Sequence, residues 1–155
     1  MFNEGTLSWF SSLSIRVFRI TGEIIDYGIV STKCVTDDFE EMLIAVLQSA
    51  DATFSDFKYH DFGEGLLPED PTDSGLGSPC GDAREVGTQT VGATAKIYKS
   101  VTTHTFGGAY TITEHGLFNA AAVGVLMDRS LFTGIAFSVG DKCEVIYQLT
   151  MNAGS

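Results

Sequence analysis

Apolar and polar residues alternate with a period of two along much of this chain. The clearest run sets Val145, Tyr147, Leu149 and Met151 against Glu144, Ile146, Gln148 and Thr150. Alternation of this kind places one set on each face of a pleated strand, so the pattern predicts a strand over 143–151 after a turn at Gly140-Asp141. Similar β-rich runs predict strands over 14–20 and 24–33, hinged at Thr21-Gly22-Glu23, and over 53–62. Further strands are expected over 91–105, broken near Ser100, and over 110–113 and 125–133. Between the last two, Gly116 is the expected turn and 119–124 a loop of small residues. One window departs from this texture. Phe39, Met42, Leu43, Val46 and Leu47 fall three and four apart along one stripe, which predicts a helix over 37–50. Asp37 and Glu40 have capping-box spacing, and Asp37, Asp38, Glu40 and Glu41 complement the helix N-terminus. The stripe packs on a sheet of its own domain or, in a sharper reading, docks on a partner.

About eight short strands, glycine-rich turns and one helix predict a mainly β fold, a two-sheet antiparallel β-sandwich of jelly-roll type. Residues 14–155 read as one such domain, with no internal repeat. Residues 1–13 mix Gly, Ser and three aromatics without a period. They read as an N-terminal arm that buries Trp9 and Phe10 against a neighbour, or as a short strand of the same domain. The texture changes again at 63–82, where all three prolines (Pro68, Pro71 and Pro79) occur with five glycines and five acids. Neither a helix nor a central strand survives that density of missing donors and flexible residues. Two readings stay open, a mobile surface loop and an extended arm that orders on a neighbouring subunit.

At 155 residues with 44% hydrophobic content and 11 Phe, the chain is one domain long and rich enough in apolar residues to fold. The formal net charge of -11, with no run of Lys or Arg, sets it against phosphate backbones, so no direct nucleic-acid binding is expected. Cys34, Cys80 and Cys143 have no metal-ligand spacing and read as reduced thiols. The N-terminus has no basic region of the signal-peptide kind, and the longest apolar run, near 42–47, is too short to span a bilayer. Membrane insertion is not expected.

Candidate chemistry is thin. His60-Asp61 and Glu114-His115 each set an imidazole beside a carboxylate, with His104 close in sequence to the second pair. Neighbours on a strand point to opposite faces, so these groups read as ordinary hydrogen-bonding histidines rather than a metal or acid–base site. No GxSxG elbow occurs, and Gly63-Glu64-Gly65 and Gly75-Leu76-Gly77 lack the phosphate-loop pattern. No enzyme activity and no cofactor are expected. Glu114 and Arg129 flank the small-residue loop at comparable places and read as a cross-strand ion pair, with an intersubunit contact for Arg129 as the sharper alternative.

The segments FKYHDFGEG, SPCGDAREVGTQTVGATAKIY, ITEHGLFNAA and LMDRSLF, followed by the final strand, together resemble a family of small virion structural proteins of tailed bacteriophages. The resemblance starts weakly near residues 24–36 and is strongest from ITEHGLFNAA to the end. It implies a capsid cement (decoration) protein on the outer capsid surface, made in the bacterial host cytoplasm. Its implied partners are the major capsid protein and further copies of itself, as a homodimer or homotrimer. A tail-associated or fibre-like adhesin binding a host receptor is the alternative. The expected contact residues are Trp9 and Phe10 of the arm, Leu66, Leu67, Pro68, Pro71, Leu76 and Pro79 of the 63–82 loop, and Arg129.

Overall fold

The inward faces of two sheets meet in one core. Leu13, Ile15, Val17, Val145, Tyr147 and Leu149 of the first sheet pack against Phe62, Ile112, Leu117, Phe132, Ile135 and Phe137 of the second. The structure, a computed structural model, describes residues 8–48 and 56–152. Its elements are β1 (Ser8–Phe18), β2 (Ile24–Ser31), α1 (Asp37–Leu47), β3 (Tyr59–Gly63), β4 (Glu85–Val86), β5 (Thr88–Val91), β6 (Ile97–Thr105), β7 (Tyr110–Phe118), β8 (Leu126–Phe137) and β9 (Lys142–Asn152). The five-stranded sheet has the order β2-β1-β9-β6-β5 and the four-stranded sheet the order β4-β3-β7-β8. All pairings are antiparallel. The expected two-sheet antiparallel sandwich with one helix is thus the fold. As to its connections, β1β2, β3β4, β5β6 and β7β8 each share a sheet. A jelly roll instead passes most successive strands from one sheet to the other.

Period two accounts for the strands. In β9, Cys143, Val145, Tyr147 and Leu149 are buried while Glu144, Ile146 and Gln148 are less so, as alternation requires. The free edge of β8 is closed by the chain before the helix: Cys34 and Arg129 exchange backbone hydrogen bonds, and Val35 bridges Asp128. That covering removes an open strand edge. The helix then starts at Thr36, whose buried hydroxyl accepts from the Phe39 amide. Phe39 and Met42 are buried, and the Phe39 ring meets Trp9 and Phe57 edge-on at 5.8 and 5.1 Å.

Several expectations are corrected. Residues 8–13 are not an arm but half of β1, paired with β9 from Ser8↔Asn152 onward. Trp9 is accordingly half-buried under the helix, and Phe10 is half-exposed. The helix cap is Thr36 rather than an Asp37/Glu40 box, and α1 ends at Leu47, which is exposed. The break in the 91–105 run lies at 92–96, where Gly92 donates to the Ile97 carbonyl, and Ser100 sits inside β6. Gly116 does not turn the chain; it lies within β7, opposite Arg129 and Asp61. The strand expected over 53–62 forms only from Tyr59. Residues 1–7 of the expected arm, 49–50 of the expected helix and 53–55 of that strand lie outside the described residues.

Candidate functional site

The outer face of the four-stranded sheet carries a buried ion pair, and the 63–82 loop folds over it. Arg129 lies opposite Gly116, and Glu114 lies opposite Leu131, so the two side chains are diagonal neighbours. Arg129 Nε donates to Glu114 Oε2 at 2.8 Å, a terminal guanidinium nitrogen lies 2.8 Å from the same oxygen, and both side chains are nearly shut off from solvent. The second guanidinium arm donates to Asp73 Oδ2 at 2.9 Å. A buried pair survives only when its remaining lone pairs and protons are satisfied. Here the loop supplies the partners. Gly65 N and Ser78 N donate to Glu114 Oε1 at 3.0 and 2.7 Å, and Gly77 N donates to Oε2 at 3.0 Å. Arg129 in return donates to the carbonyls of Leu67 and Pro68 at 3.0 and 3.3 Å.

This contact explains the glycines. A Cβ on Gly65 would lie 2.4 Å from Glu114 Oε1, and one on Gly63 would lie 2.5 Å from the same atom. Only a bare backbone brings its amides that close to the carboxylate. Gly116 plays the complementary part. Leu76, Phe118 and Leu126 converge over it, closing a small apolar layer on the outer face. Arg84 seals the far end, with its guanidinium carbon 3.4 Å from the Phe118 ring centre and its Nε donating to Asp61.

Of the expected contact residues, Leu66 and Leu67 are 77% and 75% exposed, and Pro68, Pro71 and Pro79 are exposed as well. Leu76 is half-buried on Gly116, and Arg129 is 2% exposed. Arg129 is therefore corrected from surface contact to internal clamp, in agreement with the cross-strand pair that the sequence suggested. The loop is neither an extended arm nor a free surface loop, since Cys80 N donates to the Phe62 carbonyl and Pro71 accepts from Asp37 N.

His60 of β3 and His115 of β7 meet despite pointing away from their sequence neighbours, while His104 of β6 bonds elsewhere. His60 Nδ1 shares a hydrogen bond with His115 Nε2 at 2.9 Å, and His60 Nε2 another with Ser100 Oγ at 2.7 Å. Burial pushes His60 down to about 3, and burial with the neighbouring His60 takes His115 well below its usual range. His104 stacks on Phe62 and shares a hydrogen bond with Asp82, which also accepts from Gly107 N and the Tyr110 hydroxyl. Gly87, where the chain passes from β4 to β5, presses on the His60–Ser100 bond so closely that a Cβ would lie 2.6 Å from Nε2. His115 Nδ1 and His104 Nδ1 are buried without a hydrogen-bond partner among the described residues, the latter 3.4 Å from Glu85 Oε2. Across the core, a bulge turns Asp128 inward beside Met127, where it accepts from Ser130 and Tyr147 at 2.8 and 3.3 Å. Burial raises it to about 6 against the opposing hydrogen bonds of Ser11, Ser130 and Tyr147. Sequence reasoning did not single out Asp128; an acid inside a stretch expected to be a strand, 125–133, was the available signal.

One apolar groove of about 480 Å³ opens beside α1, lined by Trp9, Glu40, Leu43, Ile44, Val46, Leu47 and Met151. Among the described residues no group of three His, Cys, Asp or Glu is placed to hold a metal ion, and no helix is long and apolar enough to cross a membrane. Compared with protein-family models, curated proteins and solved structures, the chain matches none.

Proposed function

We propose that this chain is a capsid cement protein of a tailed bacteriophage, held on the outer capsid surface by the major capsid protein and working as a homodimer or homotrimer. The observation that carries the reading is the 63–82 loop. It is clamped from beneath by Glu114 and Arg129, yet it turns Leu66 and Leu67 outward on an acidic surface. That is the build of an adhesive module, whose product is a contact.

The segments that resemble phage virion proteins support the reading in a second way. FKYHDFGEG contributes His60, Asp61, Gly63 and Gly65; ITEHGLFNAA contributes Glu114, His115 and Gly116; LMDRSLF contributes Asp128, Arg129 and Ser130. They are the parts of the buried polar framework that hold the loop, through Glu114 and Arg129, and join the sheets, through His60 with Ser100 and Asp128 with Tyr147. The net charge of -11 suits a protein outside a shell packed with nucleic acid. Many copies acting together convert weak individual contacts into firm clamping.

The test is the amount of this chain in purified particles relative to the major capsid protein, by quantitative mass spectrometry. A ratio near one to one is the expected result. A ratio of a few per hundred moves the chain to the tail and to the adhesin reading, and absence from particles removes both.

A further inference from the structure

We infer that Leu66 and Leu67 form a preorganised anchor that inserts into an apolar cleft rimmed by Lys or Arg side chains on the partner protein. Two exposed leucines in succession are an unusual thing to hold still in water, and here the backbone around them is tied at both ends. Before them, Gly65 N donates to Glu114 and Gly65 O accepts from the Thr113 hydroxyl at 2.7 Å. After them, the Leu67 and Pro68 carbonyls accept from Arg129. Thr113, Glu114 and Arg129 are all buried, so the tie is made to the rigid sheet rather than to another loop. Ordering of a contact loop is one of the main costs of association, and this loop is ordered in advance.

The charge around the tip selects its occupant. No Lys or Arg occurs between Tyr59 and Ala83, while Glu64, Glu69 and Asp70 flank the leucines. Asp73 is already neutralised by Arg129. A like-charged partner is repelled and a basic rim is attracted. A second copy of this chain fits badly for that reason. Its apolar groove beside α1 includes Glu40 and adjoins the acidic first turn of Asp37 and Asp38. Anionic lipid is disfavoured on the same ground.

This inference rests on the cement reading, and the experiment separates the two. Phage heads assembled without this chain are mixed with purified wild-type protein, with the Leu66→Ser/Leu67→Ser double variant and with Glu69→Lys, and bound protein is measured by co-sedimentation across ionic strength. The leucines are exposed, so the double variant keeps the wild-type melting temperature. The expected result is saturable binding of the wild type that weakens with salt, a loss of at least about tenfold in the double variant, and a smaller loss in Glu69→Lys. Equal binding by the double variant overturns the anchor and leaves the cement reading standing. Failure of the wild type to bind heads removes the cement reading and the anchor's partner together. A wild-type protein that floats with zwitterionic vesicles, and loses this with the double variant, assigns the tip to lipid and overturns the protein partner.

Discussion

Arg129 meets Glu114 at 2.8 Å on the outside of a sheet, a position that is ordinarily wet, and both side chains are buried. The 63–82 loop makes this possible, because three of its amides and two of its carbonyls complete the hydrogen bonds that the pair has left. Ion pair and loop therefore stand or fall together.

Glu114→Gln removes the charge that Arg129 faces most closely while Asp73 keeps its contact. Breaking a buried pair costs about 3–5 kcal/mol, and the remaining carboxylate puts the expected loss near the lower end. Urea denaturation measures it. Hydrogen exchange of the Gly65, Gly77 and Ser78 amides should accelerate in the same variant. A loss below about 1 kcal/mol with unchanged protection would mean that the loop holds its shape without the carboxylate.

Two glycines of the loop make a matched comparison. Gly65→Ala drives a methyl to 2.4 Å from Glu114 Oε1, whereas a methyl on Gly75 meets nothing within 4 Å. Overpacking at Gly65 should cost about 1–3 kcal/mol, and Gly75→Ala should be neutral or stabilise by up to about 1 kcal/mol through the unfolded chain. Thermal unfolding of the two variants side by side checks the order; equal melting temperatures would contradict the cradle.

Stability should fall on the acid side with a slope set by opposing groups. His60 titrates at about 3 in the folded protein against 6.5 ordinarily, and His115 is also held well below that value. Below pH 6.5 the unfolded chain takes up protons on both rings that the folded chain refuses, so stability present above 6.5 is lost as pH falls. Asp128 acts oppositely. Its folded value of about 6 exceeds the ordinary 3.8, so its contribution is greatest below 3.8 and is lost as pH rises through 6. Between pH 6 and 4 the His60 and Asp128 protons largely offset each other, so the net fall in stability comes from His115. Asp128→Asn removes the opposing contribution, which steepens the fall and raises stability at pH 8 by up to about 3 kcal/mol. Denaturation across this range reads both effects. A His60 or His115 imidazole resonance that titrates near 6.5 in the proton spectrum would show that the pair is open to water.

The β9 run from Val145 to Leu149 and the strand and helix content were legible because alternation and the i, i+3, i+4 stripe are local properties of the chain. The Glu114–Arg129 pair was legible too, as two charges at matching places in adjacent strands. Gly116 was misread as a turn because a glycine in isolation signals flexibility; its actual task is to leave room for Leu76. For Trp9 and Phe10 the arm and the short strand both stayed open because their end of β1 pairs with β9, at the opposite end of the chain.

The sequence by itself determined a mainly β chain with one amphipathic helix, an acidic surface and an irregular segment at 63–82. The tertiary structure decided what that segment does and where the polar groups go. His60 meets His115, Arg129 turns from a surface candidate into a buried clamp, and Asp128 is brought against Tyr147. The physical reason is range: a side chain's face follows from its own backbone, whereas burial of a charge depends on amides and carbonyls delivered from residues tens of positions away.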